Sequence, residues 1–144
     1  MPSPQPYEKS QLIRFHHCDT AGIVFYPEYL VIIDELIEDW FTFGMKTSFS
    51  DLHAVHRVGI PAVRIEVDFL SPSKIGDELS LKLVVSHIGT KSFKLLVEGS
   101  VDGVVRLRAV LVRVVAALDG LRGIPIPDEL RAKLTNYQAE LPPA

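Results

Sequence analysis

The chain has 144 residues, of which 47% are hydrophobic and 23% charged, and its formal net charge at pH 7 is −3. These values predict a single folded domain over residues 1–144, with loose ends at 1–6 and 141–144, and they exclude a mainly disordered chain. The negative charge excludes a basic whole-domain surface for nucleic acid. The single cysteine, Cys18, excludes an intramolecular disulfide and a four-cysteine zinc site.

The same sequence features predict where the protein works. One cysteine fits a reduced compartment, and the N-terminal residues lack the charged and apolar regions of a signal peptide, so we expect a cytoplasmic protein. The most apolar stretch, residues 104–118, is short and contains three arginines, so no membrane span is expected.

The first half of the chain is dominated by one long helix. A short strand is predicted to end at residues 11–15, and an irregular segment then leads into a helix at residues 28–43. Pro27 suits the first turn of this helix because its missing N–H would have no acceptor there, and Gly44 is suited to end it. The apolar stripe of the helix consists of Tyr29, Ile33, Leu36, Ile37, Trp40 and Phe41.

The second half of the chain shows the alternation that is typical of strands. Strands are predicted at residues 62–70, 78–87, 92–101 and 104–118, after a short helix near 49–55 and before a closing helix at 127–134. Asp102-Gly103 is typical of a tight hairpin turn. One helix beside a run of about four antiparallel strands predicts an α+β fold. The last strand is apolar on both faces, which indicates a subunit contact.

Several chemistries lack their sequence pattern. There is no Gly-x-Ser-x-Gly elbow, phosphate-binding loop or dinucleotide fingerprint. His53 and His56 could share a helix face, but no third ligand accompanies them, so we predict no metal site. A nucleophilic pair of His17 and Cys18 is disfavoured, because neighbours on an extended chain point in opposite directions. Asp19 precedes a glycine turn, and by spacing alone its commoner role is to form that turn.

The segment from Cys18 to Tyr29, Cys-Asp-Thr-Ala-Gly-Ile-Val-Phe-Tyr-Pro-Glu-Tyr, resembles the signature of the hotdog-fold acyl-CoA thioesterases. Within that group it most resembles the 4-hydroxybenzoyl-CoA thioesterase family. Lys91-Ser92-Phe93 is a second match, and Ile60-Pro61-Ala62-Val63 is a third, weaker one. The resemblance implies a hotdog fold, in which a curved antiparallel sheet of about five strands wraps a long central helix. It also implies paired sheets with active sites at the dimer interface, and we expect at least a homodimer and a homotetramer as the full assembly.

The resemblance also implies roles for individual residues. Asp19 would be the catalytic carboxylate, either as nucleophile or as general base on water, and the backbone N–H of Tyr26 would polarise the thioester carbonyl. A helix N-terminus suits this second role, because its free N–H groups and partial positive charge favour a developing oxyanion. The residues expected to bind the substrate are Gly22, Pro27, Ile60, Pro61, Lys91 and Ser92, with Lys91 on a coenzyme A phosphate. Gly89-Thr90 precede Lys91 where the related enzyme has basic residues.

The sequence therefore predicts an enzyme that hydrolyses an acyl-CoA thioester to the free acid and CoA. The Tyr26-Pro27 pair matches the branch that acts on aromatic, 4-hydroxybenzoyl-like acyl groups. No cofactor is expected, because coenzyme A is part of the substrate. Two alternatives remain: a short-chain aliphatic acyl-CoA thioesterase and a non-catalytic acyl-CoA-binding protein. An enoyl-thioester hydratase is disfavoured, because Val24 and Phe25 stand where that chemistry places a histidine.

Overall fold

The computed structural model describes residues 5–142, so the loose ends predicted at 1–6 and 141–144 lie partly outside the described residues. Three α-helices are present in this range: α1 (Tyr26–Asp39), α2 (Phe49–Ala54) and α3 (Asp128–Thr135). The strands are β1 (Tyr7–Leu12), β2 (Val58–Gly59), β3 (Ala62–Phe69), β4 (Glu78–Ile88), β5 (Ser92–Val101), β6 (Val104–Val114), β7 (Ala116–Ala117) and β8 (Arg122–Gly123).

The main sheet has five strands in the order β1-β4-β5-β6-β3, and all neighbouring pairs are antiparallel. A smaller sheet joins β2, β7 and β8. One long helix beside this sheet confirms the predicted α+β class. No helix within residues 5–142 has both the length and the apolar character needed to cross a membrane.

The core lies between α1 and one face of the main sheet. The buried face of α1 carries Ile32, Ile33, Leu36 and Ile37, which belong to the same hydrophobic cluster as the inward-facing residues of β4, β5 and β6. On β5 the alternation is clear, since Phe93, Leu95 and Val97 are buried and Lys94 is exposed. Extra residues interrupt the pairing of β3, β4 and β6, and such bulges bend a strand and increase its twist.

Several predicted boundaries were wrong for identifiable reasons. The first strand ends at Leu12, because the chain then forms a 3₁₀ turn at Phe15–His17. The long helix starts at Tyr26, two residues earlier than predicted, and its last turn at Trp40–Gly44 is a π turn. The strand predicted at 104–118 stops at Val114, because the chain then leaves the main sheet and pairs in the smaller one.

Gly44 ends the long helix, and glycine is needed there because neighbouring rings pack closely against it, not because of its backbone conformation. A Cβ atom on Gly44 would lie 2.9 Å from Cδ1 of Trp40, 3.0 Å from Cδ1 of Tyr7 and 3.1 Å from the hydroxyl oxygen of Tyr137. The φ angle of Gly44 is not among the positive values that glycine alone tolerates well. The close approach of three rings therefore requires the glycine.

Strand β3 is an exposed edge. It pairs with β6 on one side, and nearly all of its side chains are exposed, including Val63 (60%), Ile65 (44%) and Phe69 (51%). Arg64 and Glu66 form an ion pair on its outer face. An apolar edge strand of this length is a ready template for pairing with another chain.

Candidate active site

Asp19 lies in a tight hairpin formed by residues 17–25, called here the Asp19 hairpin. The Phe25 N–H donates to the His17 carbonyl (2.9 Å), and the Asp19 N–H donates to the Ile23 carbonyl (3.0 Å). The turn is completed by Gly22, whose N–H donates to the Asp19 carbonyl (3.0 Å) and whose φ of 78° favours glycine. Residues 17–19 and 23–25 are thus the two facing arms.

The Asp19 carboxylate is exposed and held in a defined direction. Its Oδ1 accepts the backbone N–H of Ala21 at 2.8 Å, the usual bond of an Asx turn. Within residues 5–142 its other oxygen has no hydrogen-bond partner. The turn-forming role expected from spacing is therefore real, and it leaves one carboxylate oxygen available for chemistry.

The start of α1 offers one backbone donor. The N–H of Phe25 is bonded to His17 and that of Glu28 to the Phe25 carbonyl (2.8 Å), whereas Pro27 has none. The Tyr26 N–H finds no acceptor within residues 5–142, as expected for the first residue of a helix. Asp19 lies on the hairpin and Tyr26 directly follows its second arm at the start of α1, so an exposed carboxylate and a free N–H belong to the same short segment.

The hairpin is anchored to the loop after β3. The Val24 N–H donates to the Ser73 carbonyl (2.8 Å), and Ile23 forms a bridge with Lys74.

Burial, together with the charges of Asp19 and Asp77, raises the pKa of the Cys18 thiol. The thiol is therefore protonated at neutral pH, which weakens further the case for a cysteine nucleophile.

The predicted site residues fall into two groups at opposite ends of β3. Asp19, Gly22, Tyr26 and Pro27 lie near the Phe69 end, where the rings of Tyr26 and Phe69 are 6.2 Å apart. The other group, Ile60, Pro61, Lys91 and Ser92, lies near the Ala62 end. There the Pro61 and Lys91 carbonyls accept the N–H groups of Val114 (3.1 Å) and Val115 (2.8 Å), and Ser92 pairs with Val114. Eight strand residues span about 25 Å, so one chain does not bring the groups together.

A groove of about 420 Å³ runs between α1 and β3. Most of its lining is apolar, with Leu30, Val31, Ile33, Ala62, Ile65 and Leu111, and it also includes Asp34, Glu35 and Arg113. Arg113 is only 8% exposed and donates to Oδ1 of Asp34 (3.0 Å) and to the Ile60 carbonyl (3.1 Å). The groove thus presents a carboxylate, held by a buried guanidinium, on an otherwise apolar surface.

Comparison with known proteins places this fold and site in a family. A family model described as the thioesterase-like superfamily matches residues 13–134. The chain belongs to this superfamily. It is 29% identical over 121 residues to the 1,4-dihydroxy-2-naphthoyl-CoA hydrolase of Nostoc punctiforme, covering 84% of this chain and 81% of that protein.

Solved structures give the same result. A thioesterase superfamily protein from Jannaschia sp. CCS1 superimposes with a TM-score of 0.87 at 26% identity, covering 97% of this chain and all (100%) of that one. A gentisyl-coenzyme A thioesterase superimposes with a TM-score of 0.80 at 28% identity, covering 87% and 99%. The predicted hotdog fold and the predicted thioesterase are confirmed. The narrower 4-hydroxybenzoyl-CoA family is not singled out by these matches.

Three features of this thioesterase were missed in the sequence. The first is Arg113, which occupies an inward-facing position of β6, in the same alternation as the buried Leu107, Ala109 and Leu111. A charged residue at an inward-facing position indicates a buried charge, and the alternation of the sequence was enough to identify it. Its partner Asp34 is 79 positions away in sequence, and no local pattern connects the two. The role of His17 at the base of the Asp19 hairpin was also missed.

The two histidines considered from the sequence as a metal pair, His53 and His56, lie apart from the hairpin. The larger concavity, about 490 Å³, lies between α2 and α3 and includes His56, Lys46 and Lys133 but none of the predicted site residues. His53 contacts the Phe49 carbonyl through Nδ1 (2.9 Å). Across residues 5–142 no group of three or more His, Cys, Asp or Glu side chains is placed to hold a metal ion.

Proposed function

We propose that this thioesterase hydrolyses a hydroxylated aromatic acyl-CoA, of the 4-hydroxybenzoyl type or a close relative, to the free acid and CoA. The observation that carries the proposal is the placement of the exposed Asp19 carboxylate on the hairpin that leads directly to the unbonded Tyr26 N–H at the start of α1. A carboxylate beside an oxyanion donor is the minimum that hydrolysis of a thioester needs, because a thiolate leaves without much acid assistance.

In this proposal the thioester carbonyl oxygen accepts the Tyr26 N–H. The free oxygen of Asp19 either attacks the carbonyl carbon or takes a proton from the water that does so. Negative charge develops on the carbonyl oxygen in the transition state, where the N–H and the helix N-terminus stabilise it. Collapse of the tetrahedral species breaks the carbon–sulfur bond and releases CoA. On the water route this gives the free acid directly, whereas on the direct-attack route it leaves a mixed anhydride with Asp19, which water then hydrolyses to the free acid and the Asp19 carboxylate. Both routes use Asp19 in the same position.

The complete site is proposed to form between two copies of the chain. Two β3 edges that pair antiparallel about a two-fold axis place the Ala62 end of one copy beside the Phe69 end of the other. Tyr26 contacts Phe69, so the hairpin of one copy would meet Ile60, Pro61, Lys91 and the groove of the other. The exposed apolar edge of β3 supports this arrangement.

The size and the lining of the groove between α1 and β3 favour a substrate with an aromatic acyl group. Its volume of about 420 Å³ and its apolar lining suit one or two fused rings. The Asp34 carboxylate can accept a hydrogen bond from a ring hydroxyl, and a site built to bond a hydroxyl strongly rejects a substrate that lacks it. The names of the naphthoyl-CoA hydrolase and gentisyl-CoA thioesterase relatives are consistent with such a substrate.

A thiol-release assay over a panel of acyl-CoAs tests the proposal. We expect kcat/KM for 4-hydroxybenzoyl-, 2,5-dihydroxybenzoyl- or 1,4-dihydroxy-2-naphthoyl-CoA to exceed that for benzoyl- and butyryl-CoA by at least about tenfold. Asp34→Ala should erase the difference between hydroxybenzoyl- and benzoyl-CoA, whereas the matched control Glu38→Ala, on an exposed position of α1, should keep it. A preference for butyryl-CoA would favour the aliphatic alternative, and binding without thiol release would favour the non-catalytic one.

A further inference from the structure

His17 closes the base of the Asp19 hairpin from two directions. Its carbonyl accepts the Phe25 N–H (2.9 Å), which joins the two arms just before Tyr26. Its ring Nδ1 accepts the backbone N–H of Arg14 (2.8 Å), which fixes the 3₁₀ turn that delivers the first arm. The side chain is 5% exposed, although it is a histidine on a surface turn. One residue therefore links the turn, the hairpin and the start of α1.

The bond to Arg14 requires a neutral ring. A backbone N–H can be accepted only by an unprotonated nitrogen, so Nδ1 carries no proton and the neutral ring has its proton on Nε2. Protonation of His17 would put a hydrogen on Nδ1, opposite the Arg14 N–H. The bond would then be lost and two donors would face each other.

The surroundings keep His17 neutral. Burial lowers its pKa from the ordinary value, and the positive charges of neighbouring His16 and Arg14 act in the same direction. The carboxylates of Glu28 and Glu35, which approach from α1, act in the opposite direction and are outweighed. These four are the charged or titratable groups that face the ring. At neutral pH the ring is therefore an acceptor.

We propose that His17 is a positioning residue for catalysis: its neutral ring holds the 3₁₀ turn, and through it the Asp19 hairpin, in a fixed geometry between Asp19 and the start of α1 at Tyr26. The inference rests on the proposed function, because it requires Asp19 to be the catalytic carboxylate. His17 touches neither substrate nor reacting atoms. Its protonation loosens the hairpin and lowers the rate of the chemical step.

The pH dependence has a definite sign. The pKa of His17 is lowered in the folded protein, so the unfolded chain takes up the proton first as the pH falls below the ordinary histidine value. The free energy of unfolding therefore decreases with falling pH in that window. The value of kcat is constant above the window and falls as His17 gains its proton in the folded enzyme.

Two substitutions distinguish the role of His17 as a hydrogen-bond acceptor from the effect of its titratable charge. In His17→Asn the Oδ1 atom lies where Nδ1 was and accepts the Arg14 N–H, but it does not titrate. In His17→Ala the acceptor is lost. The matched control is His16→Ala, because His16 is the exposed neighbour on the same turn. The kinetic parameters kcat and KM are measured from pH 4.5 to 8 on the best acyl-CoA of the panel, with circular dichroism to verify folding.

We expect His17→Ala to lower kcat by about tenfold at pH 7.5, with KM within about a factor of two, because misplacing a catalytic group affects the transition state first. His17→Asn should retain most of kcat at pH 7.5, and the midpoint of its acid limb should lie at lower pH than in wild type. His16→Ala should keep the wild-type kcat at pH 7.5, and the midpoint of its acid limb should lie at slightly higher pH, because the charge of His16 no longer lowers the pKa of His17. If His17→Ala keeps the wild-type kcat, or if His17→Asn keeps the wild-type acid limb, the inference is wrong.

A measurement on the unmodified enzyme covers the case in which His17→Ala does not fold. Nitrogen-15 NMR of the imidazole at pH 7.5 should identify a neutral ring protonated at Nε2 for one histidine that is absent from the His17→Asn spectrum. A proton on Nδ1 would overturn the inference. Failure of the proposed function is a separate result, since wild type would then release no thiol from any acyl-CoA.

Discussion

Lys91 illustrates how a fixed backbone can present a free charge. Its carbonyl accepts the Val115 N–H (2.8 Å), while its side chain is exposed and forms no ion pair with residues 5–142. The Lys91 side chain passes close to Gly123 on β8, since its Cδ would lie 3.6 Å from a Cβ there. This lysine lies at the Ala62 end of β3, with the second group of predicted site residues.

We expect Lys91→Ala to raise KM for the acyl-CoA by a factor of about five or less and to leave kcat largely unchanged. A phosphate contact is made equally in the ground state and the transition state, and an exposed contact is worth about 1 kcal/mol or less. Added salt should raise KM of the wild type more than that of the variant, because screening acts on the contact already removed. The matched control is Lys94→Ala, an exposed lysine further along β5. An unchanged KM with the same salt dependence would show that Lys91 is only a solvated turn residue.

Arg113 shows what residue-level reasoning can and cannot find. Its inward position follows from the alternation of β6, so a buried charge was predictable from the pattern. That it reaches Asp34 on α1 and the Ile60 carbonyl was not, because these contacts join segments far apart in sequence. A local sequence pattern indicates whether a side chain faces the core, whereas the residues that it contacts depend on the whole fold.

Strand β3 carries the proposal about assembly at the level of elements. In an antiparallel pair of strands, two residues that lie opposite each other project from the same face of the sheet. When a two-fold axis relates the two strands, this requires the axis to pass through a residue and not midway between two residues. An axis at Ile65 places Arg64 opposite Glu66 of the other copy, and an axis at Glu66 places Arg64 opposite Asp68. Both arrangements pair Arg64 with a carboxylate, so its charge stabilises either register.

Arg64→Glu should therefore weaken the dimer in either register, raising its Kd by about tenfold, because two symmetry-related charge pairs change from attractive to repulsive. The measurement is sedimentation velocity over a micromolar concentration series. Lys94→Glu, with the same charge change on the outer face of β5, should leave the Kd unchanged. Rescue by Glu66→Arg would identify the axis at Ile65, and rescue by Asp68→Arg the axis at Glu66. A fully active monomer at micromolar concentration would contradict the shared site.

The elements predicted from sequence were those whose signals are local. Strand β5 was predicted at its observed bounds, and the turn at Asp102-Gly103 has the two positive φ angles that favour this dipeptide. The end of β6 was not predicted, because it depends on where β7 finds its partners β2 and β8. The packing at the end of the π turn was not predicted either, because the rings of Tyr7 and Tyr137 that approach Gly44 come from segments far away in the sequence.

At the scale of the whole molecule, the signature segment was sufficient to predict the fold and to identify one group of candidate site residues. Asp19, Gly22, Tyr26 and Pro27 lie within nine residues that form the hairpin and the first turn of α1, so a short sequence motif is enough to identify them together. The second group, which includes Ile60 and Lys91, lies at the far end of β3 and would meet the first only in the proposed pairing of two copies. That relation depends on pairing between chains, and no segment of the sequence encodes it locally.

The central claim is that the Asp19 carboxylate performs the hydrolysis, and Asp19→Asn tests it most directly. Asparagine can keep the Asx turn through Oδ1, so the free energy of unfolding should change by about 1 kcal/mol or less. On the best acyl-CoA of the panel, kcat should fall by at least about 100-fold, the lower end of the contribution of a positioned acid–base group. The matched control Asp119→Asn, an exposed aspartate in a distant turn, should keep the wild-type kcat. A folded Asp19→Asn enzyme that turns over at nearly the wild-type rate would contradict the account.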